Sequence, residues 1–188
     1  MKEPYFSSKD LALMAIFASL SSLVGLTTAF IPAPLPGLYG VIAIPVGTII
    51  VLTIRAIVGK TGAATFTQFV SGVISTILPG GPPVIWIIIP SWVLGGVVID
   101  LFFHVTHKEI QDSRVADGIA GLIYNIPGDI LLYWAFMMFL GWAWSLPLFL
   151  YGFLAIHAIL GGLAGVYMPS LLNKLTPVVD MAFERSKQ

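Results

Sequence analysis

The chain is expected to be an all-α integral membrane protein: a single transmembrane domain over residues 1–188 with about six transmembrane helices and both termini cytoplasmic. Three observations predict this. Hydrophobic residues make up 57% of the 188 and charged residues only 10%, against about a quarter charged in soluble domains, and the mean hydropathy is +0.96. Apolar runs broken by proline, glycine or charge give expected spans at about 11–31, 41–58, 63–78, 84–103, 115–140 and 147–172. With six spans all 9 basic residues fall on one side, while the loops after the first, third and fifth spans carry no charge. The positive-inside rule makes the basic side cytoplasmic and the protein a multi-pass resident of the cell membrane. An odd number of spans would destroy the segregation.

The same composition excludes whole classes of function. Net charge is zero and basic residues are scarce, so no stripe exists to neutralise the phosphates of a nucleic acid. The absence of cysteine removes disulfides, thiol catalysis and thiolate metal sites together.

In the first span, Leu11 to Ile31 is too long for a signal-peptide core and lacks a clear small-x-small cleavage site, so it is read as a retained helix. Small residues recur four apart, as in Ala15 and Ser19 or Ala18 and Ser22, making a smooth face for a neighbouring helix, either within the bundle or on a partner. Ile31 to Gly40 carries three alternating prolines and must be extended. An uncharged irregular loop at a membrane is tolerated where it folds over protein or caps a cavity. The second span, Val41 to Val58, ends at a basic turn. There Gly59-Lys60-Thr61 imitates the end of a P-loop, but Ile54 stands where the required first glycine belongs, so a nucleotide site is rejected.

The third span is short, and Thr65, Gln68, Ser71 and Ser75 are spaced to line one helix face. Such groups either bond to neighbouring helices or line a pocket. The fourth span carries Trp86, as an interfacial anchor or a stacking surface, and Asp100 near its far end. His104 and His107 lie in the charged loop that follows; without a third ligand they are read as a solvated turn, and no metal site is expected. The fifth span holds Asn125, Pro127, Gly128 and Asp129 at mid-depth beside Tyr133 and Trp134. An ionised carboxylate there costs at least ~2.5 to 3.5 kcal/mol. Asp129 therefore needs a watery cavity, a proton, or a bond to Gln68 or His157. Ser145 and Pro147 start the sixth span, which carries His157 and then the glycine-rich run from Gly161 to Gly165, ahead of a polar tail from Asn173.

A proline-glycine first loop, a basic turn leading into GxxGAA at Gly59 to Ala64, a short third span, a glycine-rich third loop and a GGLAG-type last span together carry a resemblance. The chain resembles the substrate-binding S component of energy-coupling factor (ECF) vitamin transporters, and within them the YkoE-type subgroup associated with thiamine or its hydroxymethylpyrimidine precursor. The resemblance implies a six-helix S-component bundle that takes a vitamin from outside and docks on a transmembrane coupling subunit driven by two cytosolic ATPases. It implies no enzymatic activity and no cofactor in this chain. It places the docking face on the first span, at Ala15, Ala18, Ser19 and Ser22, where serine replaces one alanine of each Ala-xxx-Ala pair. Where the thiamine-type subgroup would carry an acidic residue, this chain has Gln68.

The expected ligand site combines Gln68, Asn125, Asp129 and His157 as polar contacts with Trp86, Tyr133 and Trp134 as stacking surfaces for a small flat heterocycle. The loop from Pro32 to Gly40 would form its lid. Two other classes stand beside this one. A stand-alone transporter or channel would use Asp129 and His157 as a cation or proton path. An intramembrane hydrolase lacks both a Gly-x-Ser-Gly and an HExxH motif.

Overall fold

The computed structural model describes residues 4–30, 38, 40–78, 84–141 and 144–185, with 28, 29 and 175–185 described by backbone alone. Among these residues the chain is helical, with no strand. Helix α1 (Ser8–Gly25) runs into a 3-10 turn (Leu26–Phe30) and is followed by α2 (Ala43–Val58) and α3 (Ala63–Ser75). A second 3-10 turn (Ile85–Ile87) leads into α4 (Ile88–Thr106). Then come α5 (Arg114–Tyr124), α6 (Ile126–Leu140), α7 (Leu146–Phe149), a π-helical turn (Leu150–Leu154) and α8 (Ala155–Arg185).

The helix boundaries follow local chemistry. Ser7 and Asp10 close a reciprocal capping box at the start of α1. Gly59 (φ 66°) and Gly62 (φ 94°) supply the left-handed backbone that ends α2 and starts α3 within a four-residue turn. Ser113 and Ser145 accept amide hydrogens at the starts of α5 and α7.

Four stretches are long and apolar enough to cross a membrane: Ser8–Gly25, Ile85–Thr106, Arg114–Leu140 and Leu146–Lys174. The other two expected spans are short helices. Helix α2 has 16 residues and α3 has 13, so α3 reaches only about 20 Å of a hydrocarbon core of about 30 Å. The expected continuous span 115–140 is broken at Asn125, because Pro127 lacks the amide that would carry the helix through. Beyond Asn173, where a polar tail was expected, α8 continues to Arg185. Most of the Pro32–Gly40 loop, all of Pro79–Pro83, and Trp142 lie outside the described residues.

Helix α4 packs against α3, α5 and α6. Glycines set how close these helices come. Gly96 meets the backbone of Ala64 and Thr65, Gly95 meets Tyr124, and Gly128 of α6 meets the Ser91 carbonyl. The tightest crossing joins α5 to α8, where Gly121 abuts the Gly161 carbonyl, Gly161 abuts the Gly121 carbonyl, and neither has room for a Cβ. This is the close backbone approach that the glycine run of the last segment predicts. Val51, Leu52, Ile99, Ala120 and Met168 fill the core beside that crossing, all fully buried.

Charged groups knit one end of the bundle. Arg55 Nε of α2 lies 3.2 Å from Asp100 Oδ1 of α4, within ion-pair distance though not aligned as a hydrogen bond. The other oxygen of Asp100 accepts from the Thr65 amide (2.8 Å) and hydroxyl (2.7 Å). A carboxylate from α4 thus caps α3, whose own N-cap residue is Gly62 and has no side chain to do so. Lys60 Nζ pairs with Asp10 Oδ2 at 2.6 Å, bringing the start of α1 to the same turn. Replacing Asp100 leaves Arg55 an uncompensated buried charge and strips the cap, so Asp100→Ala should cost about 3 to 5 kcal/mol in unfolding of the purified protein. Arg55→Ala combined with Asp100→Ala should cost less than the sum of the two single losses. Simple additivity would mean that the pair is not a unit.

Candidate ligand-binding site

Asp129 sits in the first turn of α6, just past the break at Asn125. The free amides and positive dipole end of a helix start favour a carboxylate there. His157 is the third residue of α8, and its Nδ1 lies 2.9 Å from Asp129 Oδ2. Both residues are 5% exposed. The buried carboxylate therefore has a partner in His157, one of the two side chains expected for it.

The far side of the imidazole is open chemically. Nε2 is buried and has no hydrogen-bond partner among the described residues. It faces Gly40, where an added Cβ would come within 2.7 Å of it. With the Nδ1 proton donated to Asp129, Nε2 is an acceptor; when the ring is protonated, it is a donor. One turn further along α8, Asn125 Nδ2 lies beside Gly161, also buried and without a partner among the described residues.

An aromatic column leads away from His157. Phe153 lies 4.2 Å from the imidazole, Phe149 lies 6.1 Å from Phe153, and Tyr133 stacks on Phe149 at 4.0 Å with planes 15° apart. The Tyr133 hydroxyl donates to the Trp144 carbonyl, and the Trp144 ring lies 5.6 Å from Phe153. The π-helical turn runs through this column, with the Ala155 amide reaching back five residues to the Leu150 carbonyl. Its wider turn sets the register in which Phe149, Phe153 and His157, four apart, lie in line.

The structure thus brings Asp129, His157 and Asn125 together and joins Tyr133 to them through the column. It does not bring the other expected contacts to this place. Trp86 (54% exposed) and Trp134 (48% exposed) point outward and meet through Phe139, at 5.3 and 6.0 Å between rings. The reason is angular: Trp134 is five residues from Asp129 and about 140° around α6, whereas Tyr133 is four away and shares its face. Gln68 is buried on α3 with Oε1 unpartnered, and no hydrogen bond among the described residues joins it to the Asp129–His157 pair.

The expected docking stripe divides in the same way. Ala15 and Ser19 are exposed. Ala18 and Ser22 are buried against α3, and the Ser22 hydroxyl bonds both to the Ser71 carbonyl and to its hydroxyl at 3.0 Å. Satisfying the polar face of α3 draws these two residues inside, so they do not form an outward docking surface. Sequence reasoning had Gly40 only as the end of the expected lid and did not single out Phe149 or Phe153; the four-residue spacing of Phe149, Phe153 and His157 was the available signal.

A carboxylate-backed imidazole with an amide donor a turn away can bind a ligand that carries both hydrogen-bond donors and acceptors, or can hold a proton. The nearby Ser91 hydroxyl is committed to the Ile87 carbonyl at 2.8 Å. Among the described residues no three metal-binding side chains converge, and His104 and His107 are exposed with rings 6.5 Å apart. No family model, curated protein or solved structure matches the chain. If Asp129 and His157 act as one unit, Asp129→Asn and His157→Gln should show a coupling of about 1.5 to 3 kcal/mol in a double-mutant cycle read by unfolding. Coupling near zero would mean that the contact contributes nothing specific.

Proposed function

We propose that the chain is the substrate-binding S component of an ECF-type vitamin transporter. In this reading it captures a vitamin or vitamin precursor from outside for ATP-driven import, with the coupling and ATPase subunits separate. The sequence resemblance suggests the class. The observation that carries the reading is the buried Asp129–His157 pair with two polar atoms unpartnered among the described residues, His157 Nε2 beside Gly40 and Asn125 Nδ2 beside Gly161. Buried polar atoms are ordinarily satisfied, and a heterocycle with a ring nitrogen and an amino group would satisfy both. Thiamine and hydroxymethylpyrimidine are the best candidates. The uncharged Gln68, where the subgroup would carry an acid, favours the precursor. Docking on the coupling subunit would then use the exposed small residues Ala15 and Ser19.

Mass spectrometry of the purified protein should identify a copurifying B vitamin or its pyrimidine precursor. In ligand titration, Asp129→Asn should weaken binding by about ten- to a hundredfold, since hydrogen bonds to charged groups contribute roughly 1.5 to 3 kcal/mol. Trp86→Ala and Trp134→Ala should bind normally because both rings face outward. Unchanged affinity in Asp129→Asn and Asn125→Ala, with normal melting, would sink the assignment.

Six membrane passages with both termini cytoplasmic belong to the same proposal. Cysteine introduced at Ser145 should label with an impermeant reagent from outside, and cysteine introduced at Lys108 should not; the reverse pattern overturns the topology. A second reading, a stand-alone proton or cation path, is favoured by the same Asp129–His157 contact. Flux in liposomes without any ATPase, lost in His157→Gln, would establish that alternative.

A further inference from the structure

A groove of about 490 Å³ runs along the surface between α2 and α8. Pro45, Ile49, Leu160 and Leu163 line it with apolar surface, and Ser170 and Lys174 border it further along α8. The lining residues of α8 run from Leu160 to Lys174, about 21 Å at 1.5 Å per residue. That length matches the hydrocarbon of one leaflet, about 15 Å, plus the beginning of its headgroup layer.

The polarity of the groove is graded in the same direction. Tyr167 and Lys174 are exposed, and neither they nor Ser170 has a hydrogen bond or ion pair among the described residues. Arg55, the neighbouring cation of α2, is engaged with Asp100. Lys174 is thus an ammonium with no counter-charge among the described residues, at the end of an apolar groove on a helix long and apolar enough to cross a membrane.

We infer that this groove is a binding site for one anionic phospholipid, its acyl chain lying against Ile49, Leu160 and Leu163 and its phosphate held by Lys174 with the Ser170 and Tyr167 hydroxyls. Basic pockets between membrane helices hold anionic headgroups, and the apolar wall takes the chain. The charge at one end and the chain-length channel behind it select a lipid over a soluble anion, which would leave the channel empty. The site is separate from the Asp129–His157 pair and does not depend on what that pair binds.

The test uses the full purified chain and an equimolar mixture of phosphatidylglycerol and phosphatidylcholine with identical acyl chains, read by native mass spectrometry. Wild-type protein should retain phosphatidylglycerol over phosphatidylcholine by about fivefold, the effect of one lysine near an anionic headgroup. Lys174→Gln should bring that ratio to about one while melting normally, and Leu163→Trp, at an exposed position in the groove wall, should reduce both adducts. An equal ratio in the wild type, an unchanged ratio in Lys174→Gln, or full retention of both lipids in Leu163→Trp would each overturn the site. A doubled protein mass that Leu163→Trp abolishes would assign the groove to a second copy of the chain instead.

Discussion

Among the described residues the apolar interior of this bundle holds three carboxylates, and the cost of burying each has shaped the helices around it. Asp100 takes Arg55 from α2 and the exposed amide end of α3, and so locks three helices at one end. Asp129 takes the imidazole of His157 and ties the second half of a broken helix to the last one. Asp117 is fully buried and accepts the Gln111 amide at 3.2 Å, holding the loop between α4 and α5 onto the start of α5. The three solutions differ in function. The first has its charge matched within the protein, whereas the second leaves a ring nitrogen beside Gly40 without a partner among the described residues.

Glycine does the complementary work. Carbonyl-to-glycine contacts bring α5 onto α8 and α4 onto both α3 and α6, so the polar groups of Asn125, Asp129 and His157 are delivered at fixed depths. A Cβ at Gly121 or Gly161 would push α5 away from α8 and carry Asn125 with it, because Asn125 Nδ2 already lies beside Gly161. Helix spacing and the geometry of the candidate site are therefore one constraint.

Much of this was legible in the sequence. The apolar runs located most of the helical segments but not the break at Asn125 or the helix beyond Asn173, the Asn125–Asp129 cluster and His157 stood out as polar groups in apolar runs, and the glycine run predicted a close crossing. What was not legible depends on angle and on which neighbour lies opposite. Four-residue spacing places Ala18 and Ser22 on one face, but only the bonds of Ser22 to Ser71 show that this face turns inward. Trp134 is adjacent to Tyr133 in sequence and points outward, while Tyr133 joins the column. Gln68 shares the polarity of the other site residues, but no hydrogen bond among the described residues joins it to them.

The π-helical turn at Leu150–Leu154 has an evolutionary consequence. Turns of this kind hold one residue more than an α-helical path over the same distance, so segment length, and not only residue identity, sets the direction of everything downstream. Loss of a single residue between Leu150 and Leu154 would let the segment close into a regular α-helix with His157 still facing Asp129, whereas straightening the turn with every residue kept would rotate His157 by about 100° away from it. Among descendants of a common ancestor, a one-residue gap at this place is therefore compatible with an intact carboxylate–imidazole contact, and a gap of the same size elsewhere in the helix before His157 is not.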